Sequence, residues 1–153
     1  MPLCFAYGSN LSTNQMKRRC PDSKPLEIGY LKGYRLDFTR YSSGWDGGVA
    51  DVVLDNNHEV WGLIYELTSA DLSRLDDYEG YPYTYDRFQT SIQTLTGSIS
   101  DVWVYRVVKK KSFIQPTKDY MQLIKNAAVE LQFPEEYRLF LETIETRERN
   151  INF

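Results

Sequence analysis

Apolar residues follow two different spacings along the chain, which divide it into a strand-rich part and a helical part. The apolar run at 3–7 predicts a buried strand. Alternating apolar and polar positions predict further strands at 26–30, 34–40, 49–54, 59–67, 85–95 and 99–107. The polar segments 55–58 and 96–98 predict hairpin turns. Six or seven strands joined mainly by hairpins favour an α+β fold, with a mainly antiparallel barrel or sheet and helices packed outside it.

Helix signals occur at four places in the chain. Ser12 can cap a short helix while Gln15 bonds back to the Ser12 backbone, and Thr68 with Asp71 repeats this capping pattern. In the final third, apolar residues recur at helical spacing in two stripes: Tyr120, Ile124, Ala127, Ala128 and Leu131, then Tyr137, Phe140, Leu141 and Ile144. These stripes predict two helices that each bury one face.

Size and charge limit the classes of protein that this chain can represent. Its 153 residues suffice for a single domain with a sizeable core, which is predicted to span 1–153. The net charge of −3, with mixed signs, argues against nucleic-acid binding, and the basic run at 109–111 is expected to lie in solvent. Neither a signal peptide nor a membrane-spanning apolar segment occurs, which predicts a cytoplasmic protein with no membrane partner. Whether it is a monomer or a homodimer is left open.

The residue types needed for metal binding or for a serine nucleophile are sparse. The two cysteines form no Cys-x-x-Cys pair, and Cys4 is best interpreted as a small buried hydrophobe. The single histidine, His58, lies in a polar turn, so a triad built on Ser9 is improbable. Asp51 and Asp55 could bind a metal only with further ligands that the sequence does not suggest. We therefore expect no metal site.

A glycine follows the first predicted strand and leads into the first predicted helix. The segment at 5–11 reads Phe-Ala-Tyr-Gly-Ser-Asn-Leu. A strand, a glycine, small polar residues and a helix start present several unpaired backbone N–H groups to one point in space. Such a point suits an anionic group, or a carbonyl oxygen that becomes anionic during a reaction. An ordinary strand-to-helix turn explains the same residues equally well.

Glu79 is the carboxylate with the most unusual surroundings in the sequence. It lies at the end of a predicted helix, before Gly-Tyr-Pro, with tyrosines on both sides. Aromatic neighbours desolvate a carboxylate and raise its pKa towards values that suit a general base. From the residues alone, a solvated glutamate at a helix end is the commoner case. Tyr105 and Tyr120 could bond a small polar substrate, although packing explains them as well.

Several motifs occur in a fixed order that is more specific than any one of them. They are Phe-Ala-Tyr-Gly-Ser-Asn-Leu at 5–11, Trp-Asp-Gly-Gly at 45–48, Val-Trp-Gly at 60–62 and Leu-Asp-Asp-Tyr-Glu-Gly at 75–80. A fifth motif, Pro-Thr-x-x-Tyr, lies at 116–120. Together the five motifs resemble the gamma-glutamylcyclotransferase family, including its AIG2-like branches, over residues 3–144. The fifth motif has Thr where the family pattern has Ser.

The resemblance implies a fold, a reaction and a set of site residues. The implied fold is a small antiparallel β-barrel with peripheral helices. The implied reaction cyclises a small-molecule gamma-glutamyl substrate to 5-oxoproline and releases a free amino acid or amine, without a cofactor. Glu79 matches the family's acid/base, and the implied substrate-binding residues are Phe5, Ala6, Tyr7, Gly8, Ser9, Asn10, Tyr105 and Tyr120.

Two alternatives remain within the resemblance. One is a cyclotransferase for gamma-glutamylamines or for a protected biosynthetic intermediate, and the other is a non-catalytic binding module of the same fold. The Ser-Asn form of the loop is more similar to members that act on gamma-glutamyl amino acids. Segments 41–48 and 81–85 depart from the vertebrate pattern, so the leaving group, glutathione included, is not assigned.

Overall fold

The computed structural model describes residues 1–149, so the last four residues of the predicted domain lie outside the described part. Within it, the strands are β1 Leu3–Ala6, β2 Lys24–Ser42, β3 Gly47–Glu66, β4 Tyr85–Thr94 and β5 Gly97–Val107. The α-helices of the same part are α1 Thr13–Arg19, α2 Ser69–Glu79, α3 Lys118–Glu130 and α4 Glu135–Glu142. A single 3-10 turn, Ser9–Leu11, follows β1.

The five strands close into a barrel in the order β1-β3-β2-β4-β5. Strand β1 completes the barrel by pairing antiparallel with β3 and parallel with β5, and the other neighbours are antiparallel. The β2–β4 and β1–β5 contacts that close the barrel are short, with two paired residues on each strand. The predicted α+β fold, a mainly antiparallel barrel with peripheral helices, is confirmed.

Two very long strands replace four of the predicted ones, and the predicted hairpin at 55–58 is wrong. Residues 47–54 pair with 42–34 of β2, and residues 59–66 pair with 32–24 of the same strand. Strand β3 therefore continues in one direction past its turn-like residues, which form an irregularity opposite Gly33. The reversal occurs instead in the glycine-rich segment between β2 and β3. Turn residues permit a bend, but the pairing partner decides whether the bend is a bulge or a hairpin.

The predicted N-cap side chains accept their hydrogen bonds, but each capping box is only half formed. Ser12 Oγ accepts from the Gln15 N–H at 3.4 Å, and Thr68 Oγ1 accepts from the Asp71 N–H at 3.0 Å. The reciprocal side-chain bonds are absent from the described residues. Gln15 Oε1 accepts from Arg19 Nη2 at 3.0 Å instead, and the buried Asp71 carboxylate accepts from a backbone N–H in the α1–β2 connection. A neighbour within α1 has taken the Gln15 side chain, and a tertiary partner has taken that of Asp71, so neither capping box closes.

The core fills the barrel and the space between it and the helices. Both predicted stripes of the last two helices face it, with Ile124, Ala128 and Leu141 fully buried. Cys4 and Cys20 are buried free thiols, which confirms that Cys4 packs as a small hydrophobe.

The basic run at 109–111 does not lie entirely in solvent, because Lys110 turns inward. Its Nζ lies 2.6 Å from Oδ2 of the fully buried Asp51 in β3. Asp51 also accepts from Thr39 Oγ1 at 2.7 Å and from the Val107 N–H at 2.9 Å. A buried carboxylate requires such partners, because burial without them costs several kcal/mol. The cluster joins β2, β3 and the end of β5 at one level of the barrel.

Candidate active site

A cavity of about 340 Å³ lies where several elements end around the barrel. Its walls come from β1 and the loop after it, from the ends of β2 and β3 that meet at their hairpin, from the end of α2, and from β4, β5 and α3. All nine predicted site residues line this one cavity: Phe5, Ala6, Tyr7, Gly8, Ser9, Asn10, Glu79, Tyr105 and Tyr120. Residues that are up to 115 positions apart are thus brought together, while their individual roles stay predictions.

The loop at 7–10 passes directly from β1 into the 3-10 turn. The N–H groups of Leu11 and Ser12 are bonded within the turn. The N–H groups of Ser9 and Asn10 donate no hydrogen bond within residues 1–149. Gly8 packs closely against β3, since an added Cβ would lie 3.0 Å from Ala50 Cβ, a distance that would force the neighbouring atoms to shift. The loop therefore has two backbone donors without acceptors among residues 1–149, on two residues that line the cavity.

Glu79 is the last residue of α2, and Gly80 ends the helix in the left-handed conformation with φ of 72°. Glu79 is half-buried and its carboxylate reaches the cavity, where desolvation raises its pKa to about 7. Arg19, the Asn10 side chain and Arg40 oppose that rise. Asn10 Nδ2 donates to Glu79 Oε1 at 3.4 Å. A carboxylate with a pKa near neutrality can both accept and return a proton at physiological pH.

Arg19 organises the loop from behind, and sequence reasoning missed it. Its Nη1 donates to Ser9 Oγ at 3.1 Å and also to Asn10 Oδ1. Its guanidinium stacks on the Tyr78 ring, 3.8 Å from the ring centroid. Because Arg19 occupies Asn10 Oδ1, the amide nitrogen of Asn10 faces Glu79. A basic residue in the last turn of α1 was the available signal, but it also suits the helix dipole.

Two of the cavity tyrosines use their hydroxyl hydrogens within the protein. Tyr7 Oη donates to the Tyr105 carbonyl at 2.7 Å, and Tyr105 Oη donates to Asp76 Oδ1 at 2.6 Å. Arg87 holds the same Asp76 carboxylate through Nε at 2.9 Å. Burial, followed for Tyr105 by the bond to Asp76, raises the pKa of both phenols well above the ordinary value. Their rings line the cavity while their hydroxyls brace the barrel.

Tyr85 and Tyr120 both bond the backbone of Ala50, with opposite polarity. Tyr85 Oη donates to the Ala50 carbonyl at 2.9 Å, whereas the Ala50 N–H donates to Tyr120 Oη at 2.9 Å. Trp45 packs edge-on against Tyr120 with ring centroids 5.1 Å apart. The glycine-rich hairpin is therefore part of the cavity wall.

Arg40, at the end of β2, is a second residue that the sequence did not single out. It lines the cavity, and its side chain makes no hydrogen bond or ion pair with the rest of the described chain. An arginine in an amphipathic strand carries no signal of its own, because its orientation depends on the register shift between Phe38 and Arg40. Among residues 1–149, Arg40 therefore supplies the cavity lining with a guanidinium that has no protein partner, while Arg19 acts on Glu79 from behind the loop.

The described residues provide neither a metal-binding cluster nor a membrane-spanning helix. No group of three or more His, Cys, Asp or Glu side chains in 1–149 is placed to hold a metal ion. In that same part of the chain, no helix is long and apolar enough to cross a membrane.

Comparison with known proteins agrees with this geometry. The sequence model of the family described as gamma-glutamyl cyclotransferase, AIG2-like, matches residues 4–122. Gamma-glutamylcyclotransferases from Bos taurus and Homo sapiens are 31% and 30% identical over 148 residues, which cover 94% of this chain and 78% of each relative. A solved gamma-glutamyl cyclotransferase superposes with a TM-score of 0.91 at 28% identity, covering 99% of this chain and 92% of the other. The chain therefore belongs to the gamma-glutamylcyclotransferase family of enzymes.

Proposed function

We propose that the protein cyclises gamma-glutamyl amino acids or peptides to 5-oxoproline, with Glu79 as the acid/base. The observation that carries this proposal is a single cavity that combines two groups. One is the Glu79 carboxylate, whose pKa is raised to about 7 by burial. The other is the loop at 7–10, which has unpaired N–H donors and lines the same cavity. Membership of the family supports the same reaction. A binding module would have no need of a desolvated carboxylate, whose burial costs stability.

The substrate carries its own nucleophile, so the site's first task is to fold the substrate. The alpha-amine must meet the side-chain carbonyl carbon, which closes a five-membered ring, and a fitted cavity supplies that orientation. Glu79 takes a proton from the alpha-ammonium group and frees its electron pair for attack. The carbonyl oxygen becomes an oxyanion and accepts hydrogen bonds from the N–H groups of Ser9 and Asn10.

Proton accounting requires Glu79 to act twice. The alpha-ammonium nitrogen begins with three hydrogens and ends in the ring with one, so it loses two protons. The departing nitrogen begins with one hydrogen and ends with three, so it gains two. A carboxylate that passes both protons must accept and release each of them at the same pH. A pKa of about 7 allows this near neutral pH.

The charges of the cavity fit the glutamyl end of the substrate. That end has one ammonium and one carboxylate, and the cavity offers Glu79 for the ammonium and Arg40 for the carboxylate. A charge-assisted hydrogen bond contributes about 1.5–3 kcal/mol, so Arg40→Gln should lower kcat/KM for gamma-glutamyl-alanine at least about tenfold. A smaller loss would contradict this role of Arg40.

The deciding experiment measures 5-oxoproline released from gamma-glutamyl-alanine, glutathione and gamma-glutamyl-lysine. Wild type is compared with Glu79→Gln, which is nearly isosteric, and with Glu136→Gln, the same change at an exposed position on α4. We expect release by wild type and by Glu136→Gln, and loss of at least about 100-fold in Glu79→Gln. Turnover by Glu79→Gln near the wild-type rate would contradict the assigned role, and silence of folded wild type on every substrate would contradict the reaction.

We also propose a cytoplasmic location, no nucleic-acid partner, and a monomer or homodimer. The two buried free thiols fit a reducing compartment, and the net charge of −3 disfavours binding to a polyanion. Light scattering at several protein concentrations tests the assembly, and retention on heparin at moderate salt would contradict the absence of a nucleic-acid partner.

A further inference from the structure

The hydroxyl of Tyr120 differs from those of three neighbouring tyrosines in what its hydrogen does. A phenol can donate one hydrogen and also accept. Tyr7, Tyr85 and Tyr105 donate theirs to two carbonyls and a carboxylate within the protein. Tyr120 accepts from the Ala50 N–H at 2.9 Å, and its own hydrogen finds no acceptor among residues 1–149. The cavity therefore contains one buried tyrosine whose donor capacity is unused.

This hydroxyl lies beside the loop that faces the substrate. A Cβ added to Gly8 would lie 3.2 Å from Tyr120 Oη, so the oxygen is in close contact with the Gly8 backbone. Tyr120 lines the same cavity as Glu79 and is 3% exposed. Its hydroxyl and the unpaired N–H groups of the loop consequently border the same space.

The hydroxyl is held in place before any ligand arrives. Thr117 caps α3 by accepting from the Tyr120 N–H at 3.3 Å, which fixes the backbone at the first turn of the helix. Phe38 and Trp45 contact the ring edge-on, with centroids 6.3 and 5.1 Å away. The Ala50 N–H occupies an oxygen lone pair and directs the hydrogen elsewhere. Burial raises the pKa of Tyr120 well above its usual value, so the hydrogen is retained at neutral pH.

We propose that Tyr120 is a catalytic residue that donates a hydrogen bond to the substrate's side-chain carbonyl oxygen as that oxygen becomes an oxyanion. In this step the bond from the alpha-amine nitrogen to the carbonyl carbon forms, and the carbonyl electron pair moves onto oxygen. The Tyr120 hydrogen stays on its own oxygen throughout. The pair returns when the bond to the departing nitrogen breaks. The inference rests on the proposed cyclisation and adds a side-chain donor to the backbone donors of the loop.

Tyr85 offers a matched control for this role. Tyr120→Phe and Tyr85→Phe each remove one buried hydroxyl that bonds Ala50 at 2.9 Å, so their structural costs are similar. Only Tyr120→Phe removes a free donor. Because removing one oxyanion donor costs about 100-fold or more in kcat, Tyr120→Phe should lose that much with KM changed less than about threefold. Tyr85→Phe changes another cavity residue but leaves the Tyr120 donor in place, so its loss of kcat should be at least about tenfold smaller than that of Tyr120→Phe.

The outcomes separate this inference from the proposed function. If folded wild type releases no 5-oxoproline, the reaction itself is wrong. If wild type is active, equal kcat losses in the two variants, or a rise in KM alone for Tyr120→Phe, would overturn the donor role. Should Tyr120→Phe fail to fold, 3-fluorotyrosine at position 120 keeps the oxygen that accepts from Ala50 and makes the hydroxyl a stronger donor. An altered kcat is then expected, and a kcat equal to wild type would overturn the inference.

Discussion

Replacing Glu79 by Gln should stabilise the fold above neutral pH while it abolishes turnover. The physical reason is the burial that raises the Glu79 pKa from 4.5 to about 7. Between these two values the folded state holds a proton that the unfolded state has released. Stability therefore falls as the pH rises from the unfolded pKa through the folded one. Gln is neutral at every pH and imitates the protonated form, so the variant avoids this loss.

The size of the effect follows from the separation of the two pKa values. Each pH unit of separation corresponds to about 1.4 kcal/mol, so a rise from 4.5 to about 7 corresponds to about 3 kcal/mol. The variant and wild type should be equally stable near pH 4. The variant should exceed wild type by about 3 kcal/mol near pH 8, where the carboxylate must be charged in the folded protein.

Urea unfolding at half-unit pH steps from 4 to 8 measures this difference directly. Subtracting the wild-type free energy of unfolding from that of Glu79→Gln removes the contributions of the other titrating groups. Glu136→Gln, at an exposed site on α4, should differ from wild type by less than about 0.5 kcal/mol throughout. A Glu79→Gln difference that does not change with pH, or that reverses sign, would refute the reasoning from burial.

Three further predictions follow from the same contacts. The kcat/KM of wild type should rise with pH and level off above about 7, because Glu79 must be ionised to accept a proton, and a flat profile from pH 5 to 8 would contradict this. Gly8→Ala should lower kcat/KM at least about tenfold, because its Cβ would lie 3.0 Å from Ala50, and near-normal kinetics would refute the close approach. Lys110→Met should cost about 3 kcal/mol in urea unfolding, because Asp51 stays buried without its cation, and a loss below about 1 kcal/mol would argue against a strong pair.

Much of the candidate site could be predicted from the sequence because its residues lie in short contiguous motifs. The loop at 5–11 combines a glycine with small polar residues after a strand, and the helix end at Glu79 places a carboxylate between tyrosines. The order of the motifs along the chain indicated the family. The role of Asn10 could not be read in the same way, because Arg19 sets its amide orientation through a contact nine positions away.

The sequence by itself determined the helices, their caps and their buried stripes, because these depend on neighbours within four positions. Only the tertiary structure decided that β3 runs unbroken past residues 55–58 and β2 past Gly33, since local turn preference does not choose a strand's partner. It also decided which tyrosine keeps a free hydroxyl hydrogen. Tyr85 meets the carbonyl of Ala50 and Tyr120 meets its N–H, across 35 and 70 positions of chain. The polarity of such a bond is set by the backbone atom opposite the hydroxyl, and that atom is supplied by the fold.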